Sequence, residues 1–130
     1  GERLSLSAVD SEVRSILFSP DGNKLFVIGL DNDKVYTINL STPYDVSTGV
    51  NAGAYGEFSF AAEATFMTSI QFNSDGTKMF LANDGGANDI EEYSLSTAWD
   101  VSTAVFTQSK NIADLSWSNS KAHSVTFIFS

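Results

Sequence analysis

Short segments dense in apolar residues recur along this chain, and within them side chains fall on two faces with a period of two, the pattern of a β-strand rather than a helix. Over residues 24–30, Leu25, Val27 and Gly29 alternate with Phe26, Ile28 and Leu30. Both faces are apolar, as expected of a strand packed between neighbouring sheets. Over residues 35–40, Val35, Thr37 and Asn39 alternate with Tyr36, Ile38 and Leu40. A strand at 16–19 comes first, joined to the next by Pro20-Asp21-Gly22-Asn23, a turn whose Gly can take positive φ. Asp31-Asn32-Asp33 makes the following turn, and a longer connection, 41–55, leads to a fourth strand at 56–60. The same plan predicts strands at 69–72, 78–83, 89–95 and 105–109. The nearest approach to a helix is a single turn within the Ala-rich stretch 61–68.

The pattern recurs because the sequence does. Ser15-Ile16-Leu17-Phe18-Ser19-Pro20-Asp21-Gly22-Asn23-Lys24-Leu25-Phe26 returns 54 residues later as Ser69-Ile70-Gln71-Phe72-Asn73-Ser74-Asp75-Gly76-Thr77-Lys78-Met79-Phe80. Leu40-Ser41-Thr42-Pro43-Tyr44-Asp45-Val46-Ser47-Thr48 returns after 55 as Leu95-Ser96-Thr97-Ala98-Trp99-Asp100-Val101-Ser102-Thr103. Two matched blocks in one order, with one residue inserted between them, indicate duplication. Ser124-Val125-Thr126-Phe127 begins a third copy, and Leu4-Ser5-Leu6 stands where Phe58-Ser59-Phe60 stands one unit on. The 130 residues therefore read as one repeat domain, with units at about 15–60 and 69–109 and partial units at both ends.

Four short strands per unit at this period predict an all-β fold of β-propeller-type blades. The segment from Phe18 to Val27 resembles the hairpin of YVTN-type and Tol-type β-propellers, in which an aromatic, a Pro-Asp-Gly turn, a Lys and an apolar strand follow in order. With the block at 40–48, the chain is similar to propeller-like repeat proteins of marine phages and environmental bacteria. The second copy departs by Ser74 in place of Pro20 and by the loop Asp84-Gly85-Gly86-Ala87-Asn88. The resemblance implies a fold and not a ligand. A propeller closes with roughly four to eight blades. Two blades and two fragments leave apolar faces uncovered, and completion by further copies of the chain, a homo-oligomeric ring, is the favoured expectation, with a piece of a longer propeller and a compact sandwich-like pair with swapped terminal strands as the alternatives. A chain that opens on Gly1 rather than Met also reads as a processed or excised form.

Composition narrows the partners. The net charge is −9, from 16 acidic and 7 basic residues, which disfavours nucleic acid and anionic membranes. There is no cysteine, so disulfides and thiolate chemistry are excluded. No apolar run is long enough for a transmembrane helix. The expected location is extracellular, periplasmic or virion-associated.

Candidate chemistry is sparse. Asp31, Asp33, Asp84 and Asp89 lie in oxygen-rich turns and are the candidate ligands for a cation, with Ca²⁺ the one cofactor left open. EF-hand spacing is missing, and a solvated turn is the stronger reading. Tyr44-Asp45 and Trp99-Asp100 place a ring beside a carboxylate at the same point of both units, the pairing a sugar-binding lectin would use. The plainer reading is an aromatic packed under a loop whose Asp caps the turn through Ser47 or Thr48. Asp21-Gly22 and Asp75-Gly76 read as hairpin turns. His123 is the sole histidine, without a nucleophile elbow nearby, and precedes a predicted strand. Glu91 and Glu92 are adjacent on a strand and point to opposite faces, so they cannot act as a glycosidase pair. The sequon Asn39-Leu40-Ser41 matters only in a eukaryotic secretory setting. The expected function is a non-enzymatic binding or structural module with a protein or glycan partner. A lectin is the alternative, and a hydrolase- or lyase-type propeller the second alternative.

Overall fold

The computed structural model describes residues 3–64, 66–85 and 88–111. These form two antiparallel sheets in sequence order, with no α-helix among the described residues. The first contains β1 (Val13–Phe18), β2 (Lys24–Gly29), β3 (Lys34–Leu40), β4 (Gly49–Asn51) and β5 (Glu57–Ser59). The second contains β6 (Met67–Phe72), β7 (Lys78–Asn83), β8 (Asp89–Leu95) and β9 (Ala104–Asn111). Each is a meander of neighbouring strands, and the third copy begun at 124–127 lies outside the described residues, as does His123.

The duplication extends to individual hydrogen bonds. Leu30 N donates to Glu12 O as Asp84 N does to Phe66 O, and Leu40 N to Asn23 O as Leu95 N does to Thr77 O. The first edge strand carries a register shift at Val13/Ser15, matched at Met67/Ser69.

The fourth strand of the first unit departs from expectation. In place of one strand at 56–60, β4 and β5 both pair with β3, from Leu40↔Gly49 to Lys34↔Ser59. In the second sheet the same span is covered by β9 alone, from Leu95↔Ala104 to Asp89↔Asn111. The first unit carries three more residues between these anchors, and the 3-10 turn Gly53–Gly56 absorbs them. Residues 3–6 are not the expected tail strand: they make no ladder. They keep the packing of one, because Leu4, Leu6 and Val9 cover Leu25, Val27, Tyr36, Ile38 and Leu40. Val9 N and Asp10 N donate to Leu6 O as Glu63 N and Ala64 N donate to Phe60 O, a single turn in each unit.

The two sheets meet face to face. Phe26, Ile28 and Val35 of the first sheet pack with Ile70, Phe72, Met79, Leu81, Tyr93 and Leu95 of the second. Phe60, fully buried, enters from the connecting segment. Met79, Leu81, Tyr93 and Leu95 are the repeat equivalents of Leu25, Val27, Ile38 and Leu40. The face that the N-terminal segment covers in the first sheet is therefore the face by which the second sheet covers the first. The contact is head to tail.

Candidate functional site

The most elaborated surface is the rim formed by the two Asp-Gly turns and the loops that fold over them. Gly22 and Gly76 both have φ of 75°, which a side chain would resist. The chain returns to each: Tyr44 N donates to Gly22 O and Trp99 N to Gly76 O, both at 2.9 Å. The aromatic ring then lies flat on the glycine. A Cβ on Gly22 would sit 2.4 Å from the Tyr44 ring, and one on Gly76 2.3 Å from the Trp99 ring. Tyr44 and Trp99 themselves have φ of 62° and 63°, a left-handed backbone unusual for aromatic residues.

The carboxylates of this rim are occupied locally. Asp21 accepts from Asn23 N (3.0 Å) and Ser19 Oγ (2.7 Å), and these bonds hold its carboxyl below the ordinary value. Asp75 is lowered in the same way, first by the Thr77 hydroxyl and then by Thr77 N. Asp45 accepts from Ser47 N (3.0 Å) and Ser47 Oγ (2.6 Å), capping the 3-10 turn Val46–Thr48. Asp100 caps Val101–Thr103 through Ser102. The two aromatic–carboxylate pairs thus lie at equivalent positions, each within its own unit, with the carboxylate turned to backbone.

What distinguishes the two rings is the seam. The Tyr44 hydroxyl donates to Pro20 O, and its ring rests against Phe18 at 5.3 Å between centroids. Trp99 packs against Phe72 with its ring tilted, 5.1 Å between centroids, and reaches the first unit instead: Lys24 Nζ donates to Trp99 O at 3.0 Å, 75 residues away in sequence. Around it opens a cleft of two adjoining lobes, about 280 and about 340 Å³, both bordered by Pro20, Ser74 and Trp99. Leu17, Phe72 and Gln71 line the first lobe, Asp21 and Lys24 the second. Single-sequence reasoning missed Gln71, Ser74 and Lys24, because nothing along the chain signals a contact made across a seam.

The cation candidates are not brought together. Asp31 and Asp33 lie in the β2–β3 turn, while Asp89 starts β8 and accepts from Asn111 Nδ2 (2.8 Å) and Ser109 Oγ (3.2 Å). Asp84 precedes β8, its N donating to Phe66 O. Among the described residues no three acidic, His or Cys side chains converge as a metal group would require.

Two buried polar clusters went unsignalled. Asp10, 4% exposed, accepts from Glu12 N (2.9 Å), Asp31 N (3.1 Å), Asn32 N and Nδ2 (3.3 Å each) and the Tyr36 hydroxyl (3.0 Å). Burial works to raise its carboxyl, but these donors prevail and the net shift is downward. Burial pushes the Tyr36 hydroxyl up to about 12. In the second unit Glu91 replaces Tyr36 and Ala64 replaces Asp10. Glu91 is 3% exposed, and burial, aided by the Asp89 and Glu63 charges, raises its carboxyl. Glu63 Oε2 and the Tyr93 hydroxyl are buried beside it without a hydrogen-bond partner among the described residues. Glu92 is half-buried and pairs outward with Lys78 at 3.9 Å, so the two adjacent glutamates face apart.

Comparison with family models, curated proteins and solved structures gives no match to this chain.

Proposed function

We propose that this chain is a non-enzymatic repeat module whose sheets stack as propeller blades and close into a ring with further copies of itself. The observation that carries the reading is the head-to-tail contact between the two sheets. A contact that joins one face to the opposite face of the next unit is heterologous, and it repeats until the rotation closes or a cap intervenes. The apolar residues repeat on the same schedule, and Leu4 and Leu6, which cover this face in the first unit, are the repeat equivalents of Phe58 and Phe60, which share the seam with the next sheet. The twist of adjacent sheets supplies the rotation. A ring so built serves as a rigid scaffold that displays its turn rims. Three chains would give six complete sheets, within the usual range of blade numbers.

Light scattering coupled to size exclusion tests this. The expected result is one discrete particle whose mass is a whole multiple of the chain and whose sheet count falls in that range. A folded, monodisperse monomer would overturn the ring.

A further inference from the structure

We infer that the cleft around Trp99, at the seam between the two units, is a binding site for a neutral saccharide. The cleft lies wholly within one chain, so the inference stands whether or not a ring closes.

The argument starts from the Trp99 ring. Its position is fixed on two sides, by the close approach to Gly76 and by Phe72. Its loop is anchored from the other unit by Lys24. A ring held this way needs no ordering when a ligand arrives, which lowers the entropic cost of binding. Trp99 remains half-buried, and its indole N–H makes no hydrogen bond among the described residues, whereas the equivalent Tyr44 donates its hydroxyl to Pro20. A left-handed backbone would suit Asn or Gly better than Trp. The ring stays at this cost in backbone energy, and it borders both lobes of the cleft.

The lining then selects the ligand class. Leu17, Phe72 and Trp99 give an apolar floor for the C–H face of a pyranose. The Gln71 amide and the Ser74 hydroxyl make no hydrogen bond among the described residues and offer donors and acceptors to hydroxyl groups. One carboxylate, Asp21, and one ammonium, Lys24, leave the second lobe without net charge. The chain around it carries −9, which repels sulfated or sialylated glycans. Each lobe is at the small end of ligand sites, which suits one or two sugar rings rather than a long peptide.

The test uses the intact chain in whatever assembly it forms. Saturation-transfer NMR is run with methyl glycosides of the neutral hexoses and N-acetylhexosamines, alongside sialylated and sulfated glycans and a Pro-rich peptide. The expected result is transfer to the ring C–H protons of at least one neutral glycoside, with a dissociation constant of about 1 mM. The double variant Gln71→Ala/Ser74→Ala should weaken that binding about tenfold without moving the thermal midpoint. Trp99→Tyr, which installs the residue the first unit already uses, keeps the fold and should weaken binding several-fold. The inference is overturned by no transfer from any neutral glycoside. Binding unchanged in both variants, or retention of only the charged glycans or the peptide, overturns it as well.

Discussion

Each Asp-Gly turn packs three requirements into four residues: positive φ at the glycine, space for a ring above it, and a carboxylate to hold the turn. Sequence alone showed the first and third, because Asp-Gly in a hairpin position has a mechanism. It could not show that Tyr44 and Trp99 close over Gly22 and Gly76, since that contact depends on how the loop returns. The consequence is testable. Gly76→Ala meets both the left-handed backbone and the Trp99 ring, and should cost about 2 kcal/mol or more in urea unfolding. Ala at Gly53, which also has positive φ (65°) but nothing within 4 Å, should cost only the backbone part. Equal losses at the two positions would show that the ring contact contributes nothing. Glu91 makes a second prediction at this scale. Its folded carboxyl lies above the ordinary 4.5, so the native chain binds more protons than the unfolded one above that pH. Stability therefore falls as pH rises from about 4.5 through the folded value. Glu91→Gln removes the penalty. The variant should match the native chain near pH 4 and exceed it in urea midpoint at pH 8, and a gap that does not widen between these pH values refutes the assignment.

At the scale of elements, the sequence located seven of the nine strands to within about two residues and β1 to within three, because short runs dense in apolar residues between turn signals mark strands. β4 was read as part of the 41–55 connection, since a three-residue strand carries too little pattern to stand out from a loop without its pairing. The N-terminal segment was read as a strand from Leu4 and Leu6 and is instead a covering strap. Its attachment rests on Asp10, whose five accepted hydrogen bonds tie it to the β2–β3 turn and to Tyr36. No local pattern marks Asp10, because its partners lie about twenty residues on. Asp10→Ala should cost about 2–4 kcal/mol by leaving the Tyr36 hydroxyl and the turn amides unpaired. It should also speed proteolysis within residues 3–12. The folded carboxyl lies below 3.8, so its contribution is complete above that pH and is lost as pH falls through the folded value. The variant should accordingly show a shallower loss of stability in that acid range. Unchanged proteolysis would mean that the apolar contacts of Leu4, Leu6 and Val9 hold the segment alone.

For the whole molecule, the question is whether two sheets from one duplication are two folding units or one. The repeat in sequence suggests independence, but the packing argues against it. A lone sheet of four or five short strands with two apolar faces has no core of its own. The cluster between the sheets takes Phe26 and Ile28 from the first, Met79, Leu81 and Tyr93 from the second, and Phe60 from the segment between them. Phe60 is fully buried and belongs to neither ladder, so its loss opens a cavity at the joint. Phe60→Ala should cost about 3–5 kcal/mol. If the seam makes one cooperative unit, hydrogen exchange should accelerate together in β2 and β7, the strands at the centre of each sheet, and unfolding should remain a single transition. If the sheets are independent, protection will fall in one and persist in the other. Under that outcome head-to-tail contact would be too weak to propagate, and a ring built on it would have no basis in this interface.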